Sequence, residues 1–297
     1  MTNQRENFWL VLVLLGAGFL MMFGFIFMIL LSFSGIESEL AGDEGIGIIE
    51  ITGPIDGSKK VMKTLREFEH NDKVKAIIVR VDSPGGSVGP SQEIYSELLR
   101  LRDIKPVVVS MGSLAASGGY YIAAGAKYIF ANPGTITGSI GVIIQTTYLK
   151  ELMKTIKITP KTYKSGKHKD ILSPFRESTE SDDNIINTMI TDVYEQFLDA
   201  IAVGRNLDKE QVRPIADGRI LTGKQALDNK LVDELGSFND AIRYVAKNND
   251  LGDEPKLIYP KKETLTYIEK MLESSVKGVV SGVESETKAA IELKMEQ

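Results

Sequence analysis

The chain has no cysteine among its 297 residues. That excludes disulfides, thiolate catalysis and cysteine metal sites in one step. Histidine is nearly absent too: only His70 and His168 occur. A multi-histidine metal centre is therefore not expected, and no motif points to any other cofactor. There is no long basic block, no interleaving of aromatic and basic residues, and the net charge is −5. These absences speak against a nucleic-acid partner. What remains is an ordinary globular composition, 43% hydrophobic and 25% charged. Its length suits one large domain or two modest ones.

One stretch has no charge at all. Residues 8–33 run for 26 positions without Asp, Glu, Lys or Arg. As a helix they would be about 39 Å long, against about 30 Å for the hydrocarbon core of a bilayer. A cleavable signal peptide is the alternative. The run is too long for an ordinary signal-peptide core, and no A-x-A site follows it. The reading is a single-pass transmembrane anchor. Arg5, Glu6 and the terminal amine precede it, while Glu37, Glu39, Asp43 and Glu44 follow, with no basic residue before Lys59. Positive charge favours the cytoplasmic side. Residues 1–7 are thus expected in the cytoplasm, 34–45 as a tether, and the rest outside.

Beyond the tether, strand and helix signals alternate. Residues 46–52, 74–81, 106–111 and 128–131 read as strands, and 58–71 and 91–102 as helices. This order predicts an α/β domain with parallel pairing over 46–254. A long helix is expected over 181–205, with Ile185, Met189, Val193, Phe197 and Ile201 near one face. Residues 255–297 carry apolar positions at helical spacing among charges, which reads as an amphipathic tail.

The most informative segment is Met111-Gly-Ser-Leu-Ala-Ala-Ser-Gly-Gly-Tyr-Tyr121. An apolar strand ends in small residues, and a short helix is expected from Ser117. Amides of a new helix point at a serine placed there, and the helix dipole favours negative charge. Small neighbours let a substrate carbonyl approach the backbone. This is the chemistry of an activated nucleophile beside an oxyanion hole.

Such a serine needs a base. His168 is one candidate, although a lone histidine among lysines is usually a surface residue. Lys169 is the other. A lysine serves as a base only when its pKa falls from ~10.4 towards ~7–8, which calls for burial or like-charge repulsion. Six further lysines lie between positions 150 and 167. By composition alone, Lys169 hardly stands out from them, since such runs are usually solvated faces.

A resemblance separates these candidates. The chain resembles the signal peptide peptidase A family in its short bacterial form, within the ClpP/crotonase superfamily. Asp82-Ser-Pro-Gly-Gly-Ser87 is similar to the family's glycine loop, and Ala115-Ala-Ser-Gly-Gly-Tyr-Tyr121 to its nucleophile motif. Gly138-Ser-Ile-Gly141 and Ser165-Gly-Lys-His-Lys-Asp170 resemble the segments that carry a supporting serine and the catalytic lysine. Gly218-Arg-Ile-Leu-Thr-Gly-Lys-Gln-Ala226 and Leu231-Val-Asp233 resemble its C-terminal signature. The resemblance implies a ClpP/crotonase-like fold. It also implies a Ser–Lys dyad of Ser117 and Lys169, supported by Ser139. The oxyanion hole would come from Gly85, Gly86 and Gly118. Apolar signal peptides would be the substrates, and a membrane-bound homo-oligomer with subunit-shared sites the assembly. Two positions depart from the pattern: Leu221 where an aromatic is common, and Lys230 where glycine is usual.

Under the structural alternatives, Gly85-Gly86 is a plain turn, Ser139 a turn serine, His168 structural or exposed, and Asp170 a cap or solvated charge. Tyr120 and Tyr121 read as core or wall. Three other functions compete with signal-peptide degradation. They are trimming of intact membrane proteins, a silent peptide-binding scaffold, and an acyl-CoA enzyme of the crotonase type. The presence of both Ser117 and Lys169 argues against the scaffold, and the lack of a cofactor motif against the last.

Overall fold

A computed structural model describes residues 44–260. The anchor read from 8–33, most of the tether and the tail beyond 260 lie outside them. Among the described residues, no helix is long and apolar enough to cross a membrane.

Three strands make the centre of one sheet: β1 (Gly45–Thr52), β2 (Val74–Ser83) and β3 (Val107–Ala116). They pair in parallel, with Ile48 opposite Ile78 and Val79 opposite Val109. Their near-continuous apolar runs are those of strands covered on both faces. Side chains alternate between the faces. Ile49, Ile51, Ile77 and Val79 join the larger core, while Ile46, Ile48, Ala76 and Ile78 join the smaller one.

The larger core is closed by α1 (Lys59–Glu69), α2 (Val88–Leu101), α3 (Gly118–Ala123) and the second half of α5 (Glu180–Arg205). The smaller core is covered by α8 (Phe238–Asn248) through Ala241, Val245 and Ala246. Between these come β4 (Tyr128–Ala131), β5 (Ile136–Gly138), α4 (Lys150–Thr155), α6 (Lys209–Val212), β6 (Ile220–Thr222), α7 (Gly223–Asp228) and β7 (Glu234–Leu235). The main strand order is β6-β5-β3-β2-β1-β8, where β8 is Lys256–Ile258; β4 pairs with both β3 and β7. All pairings are parallel except β5 with β6. The expected α/β architecture is present.

Several boundaries differ from the sequence reading. β3 continues past Met111 to Ala116. Leu114, Ala115 and Ala116 pair with β5, and Asp82 Oδ1 accepts the Leu114 amide at 3.1 Å. Partners distant in sequence thus hold a stretch whose small residues alone suggest a loop. α2 starts at Val88, before Pro90, because first-turn amides have no intrahelical acceptor to lose. Lys256–Ile258, placed in the tail by its sequence, is an edge strand beside β1. In α5 the expected apolar face is buried only towards its end: Phe197 and Ile201 are in the core, whereas Ile185 and Met189 are exposed. The preceding arm leaves Tyr148, Ile156, Ile158 and Tyr163 exposed as well.

Candidate active site

Ser117 sits between β3 and α3 with φ 52° and ψ −120°. That is a region L-residues seldom adopt. Two backbone bonds hold it there: Ser117 N donates to Gly138 O at 2.9 Å, and Tyr121 N donates to Ser117 O at 2.8 Å. The α3 helix behind it is wholly buried. Tyr120 anchors it by donating from its hydroxyl to Leu231 O at 2.9 Å. Burial pushes the Tyr120 hydroxyl well above the usual phenol range. Tyr121 packs between Tyr95 and Phe197, with ring centroids 5.2 Å and 4.6 Å away. Tyr120 is therefore core and Tyr121 a wall of the site.

The glycine loop lies directly against this turn. Gly85 has φ +96°, and a Cβ there would stand 2.6 Å from Gly118 N and 2.9 Å from Ser117 Cβ. Only glycine permits that approach. The Gly85 amide itself donates to Ser83 Oγ at 3.1 Å. Gly86 is different. Ile55 N donates to Gly85 O and Ser87 N donates to Ile55 O, in the pattern of a parallel bridge. In that pattern the intervening residue turns its own N–H to the opposite side. A Cβ on Gly118 would lie 3.3 Å from Gly86 N. Gly118 is the first residue of α3, so its amide has no intrahelical acceptor. Gly86 N thus lies close to Gly118, and both glycines line the same cleft as Ser117.

Ser117, Gly86, Gly118 and Ser139 line one cleft of about 600 Å³. Its apolar wall comes from Val88, Tyr121 and the α5 residues Ile190, Val193, Tyr194 and Phe197. Ser139 has φ 49°, and its amide donates to Arg219 O at 2.8 Å. A wider hollow of about 740 Å³ runs along the outer face of α5 from Glu180 to Asp192. It touches none of the motif loops.

Lys169 does not line the cleft. It is exposed, in a run of turns where its amide donates to Gly166 O at 3.2 Å. The residues on either side of it are tied down. His168 Nδ1 is 2.8 Å from Asp182 Oδ1, and Asp170 Oδ1 accepts from Arg176 Nη2 at 3.0 Å and Lys164 Nζ at 2.6 Å. Arg176 and Lys164 hold the Asp170 carboxyl down to about 2. Arg176, then His168 and Thr179, hold the Asp182 carboxyl far below the usual carboxylate range. His168 is thus a structural partner, and Asp170 is an ion-pair member, not a helix cap.

Residues 100–252 match the profile of Peptidase family S49. The chain belongs to peptidase family S49. Among its relatives, a protein of Synechocystis sp. named "Putative protease" is 48% identical over 203 residues, 68% of this chain and 73% of the relative. An Enterococcus faecium protein named "Putative signal peptide peptidase SppA" is 38% identical over 201 residues, 67% of this chain and 58% of the relative. "Protease 4" of Haemophilus influenzae is 40% identical over 189 residues, 63% of this chain but 30% of that longer protein. The resemblance read from the motifs is borne out, and S49 membership carries the coarse function of a peptide-bond hydrolase.

Both departures from the family pattern have local explanations. Lys230 has φ +59° and follows the C-cap of α7. Lys230 N donates to Leu227 O and Leu231 N to Ala226 O, a paired closure that favours glycine at this position. Leu221 is buried and pairs with Thr137 of β5. Sequence reasoning missed two groups. Tyr194 completes the α5 wall, and its i, i+3 spacing with Phe197 was the available signal. Asp182 was signalled by Thr179-Glu-Ser-Asp182, a capping-box pattern.

Proposed function

We propose that this chain is a membrane-anchored serine endopeptidase that degrades residual signal peptides after their release from preproteins. The observation that carries this is that Ser117, Gly86 and Gly118 line one largely apolar cleft, with Gly86 and Gly118 in close approach. Lys169 takes the proton from Ser117 Oγ, and the oxygen attacks the scissile carbonyl. The developing oxyanion lies between the amides of these two glycines. The lysine returns the proton to the leaving amine, and water then hydrolyses the acyl-enzyme. Ser139, on the same cleft, orients the lysine ammonium.

Lys169 acts on the serine of a neighbouring subunit. Burial is what lowers a lysine's pKa far enough to leave it neutral and able to accept a proton, and its own chain leaves Lys169 exposed. Its loop is tied to Asp182, eight residues and about 12 Å of helix ahead of Ile190, the first α5 residue in the cleft wall. The exposed apolar arm and the exposed first half of α5 suit contact with a second copy. The apolar run at 8–33 and its flanking charges support a body anchored outside the cytoplasm.

Mixing inactive Ser117→Ala and Lys169→Ala proteins tests the shared site. Mixed oligomers are expected to recover part of the activity. A fully active monomer overturns the assembly, an active Ser117→Ala protein overturns the nucleophile, and an active Lys169→Ala protein overturns the base. Exclusive cleavage of the body by protease added on the cytoplasmic side overturns the topology.

A further inference from the structure

The groups around Lys169 form a connected clamp whose centre is Asp182. Its side chain is 3% exposed, at the third position of α5. One oxygen, Oδ1, faces His168 Nδ1 at 2.8 Å. A carboxylate only accepts, so the imidazole donates. The other oxygen, Oδ2, accepts from Arg176 Nη1 at 2.6 Å, Thr179 N at 3.0 Å and Thr179 Oγ1 at 2.8 Å. Arg176 continues the chain through Nη2 to Asp170 Oδ1 at 3.0 Å, and Lys164 Nζ closes on the same oxygen at 2.6 Å. Ser181 Oγ lies 3.5 Å from His168 Nε2.

The sequence order gives this its meaning. His168 and Asp170 are the two neighbours of Lys169, and both are fastened to the start of α5. Turn bonds Lys169 N to Gly166 O, Ile171 N to His168 O and Ser173 N to Asp170 O stiffen the same stretch. The backbone of Lys169 is pinned on both sides, while among the described residues its side chain is exposed and makes no hydrogen bond or ion pair. A helix cap needs only the Thr179 bonds. It does not need a carboxylate that also grips His168 and, through Arg176, reaches Asp170.

We infer that Asp182, acting with Arg176, is a positioning residue for the catalytic base: it fixes the direction in which Lys169 leaves the loop. The inference rests on the reading of Lys169 as base. A misplacement of about 1 Å costs on the order of 100-fold in rate, so a flexible loop would serve the reaction poorly. Nucleophile activation depends on this geometry, whereas substrate binding in the cleft does not.

The test uses the full chain in its assembled form, with steady-state kinetics on an apolar peptide. It adds the rate of Ser117 labelling by a fluorophosphonate, melting temperature and oligomer size. Asp182→Asn and Arg176→Met should each lower kcat and the labelling rate about 10- to 100-fold at temperatures where the protein stays folded, well beyond what their lowered melting explains, with KM and oligomer size close to wild type. The double variant should lose no more than the worse single one, because both break one device. Thr179→Ala, which removes only the hydroxyl bonds of the cap, should lower melting with little change in kcat. Lys169→Ala is run alongside. If Lys169→Ala is inactive but folded Asp182→Asn and Arg176→Met turn over normally, the positioning role is overturned and the base assignment stands. If Lys169→Ala stays active, the base assignment falls and the inference with it. If kcat falls only in step with lost melting or assembly, the role is structural and the inference is overturned. Should Asp182→Asn fail to assemble, Arg176→Met decides.

Discussion

Ser117 carries both the proposed chemistry and a backbone that serine does not favour, and replacing it separates the two. Its φ of 52° and ψ of −120° belong to a region where glycine is at ease. Ser117→Ala removes the hydroxyl but keeps Cβ and the strain. Ser117→Gly removes both. Holding a non-glycine residue in such a region costs about 1–3 kcal/mol, and the extra freedom of an unfolded glycine returns about 0.4–1 kcal/mol of that. The glycine variant should therefore be more stable than the alanine variant by about 0.5–2 kcal/mol. For a domain of this size that is about 1–8 °C in melting temperature. Both variants should be inactive. The one tryptophan, Trp9, lies outside residues 44–260, so unfolding in urea is best followed by far-ultraviolet circular dichroism. A shift in midpoint with an unchanged slope would report stability alone. Equal or lower stability of Ser117→Gly would refute the strain argument. Turnover by either variant would refute the nucleophile.

The same backbone logic applies away from the site. Lys230 is exposed at φ +59° in the closure of α7, and Arg205 Nε and Nη2 bond only its carbonyl, at 3.2 Å. Lys230→Gly should raise stability by about 0.5–1 kcal/mol with activity unchanged; a lower melting temperature would contradict it. The cleft wall of Val88, Ile190, Val193, Tyr194 and Phe197 should select leucine, alanine and similar side chains beside the scissile bond. Each large apolar side chain buried there contributes about 1.5–3 kcal/mol. Cleavage profiling dominated by charged residues would rule that out.

The order of strands and helices was legible because burial imposes periods of two and 3.6 on a chain. The apolar runs of β1 and β2 and the pattern of α1 show it directly. The small-residue junction at Ser117 was legible for a related reason: close backbone approach excludes side chains, and that leaves glycine and alanine behind. Local reasoning of that kind stops where partners are remote, as at the end of β3 and in β8, which owe their form to neighbouring strands. Gly112 shows the same limit. A Cβ there would stand 2.8 Å from the Asp82 carboxyl carbon, so the contact that demands glycine comes from β2.

By itself, the sequence determined the alternation of elements, the nucleophile junction and the family motifs, because each is written in neighbouring residues. Only the tertiary structure decided how those motifs meet. It set Gly86 against Gly118 and committed the Gly85 amide to Ser83. It placed Ser139 on the Ser117 cleft and left Lys169 outside it, between two clamped neighbours. Hydrogen-bond direction and side-chain convergence depend on contacts between segments tens of residues apart, and no local period in the chain records them.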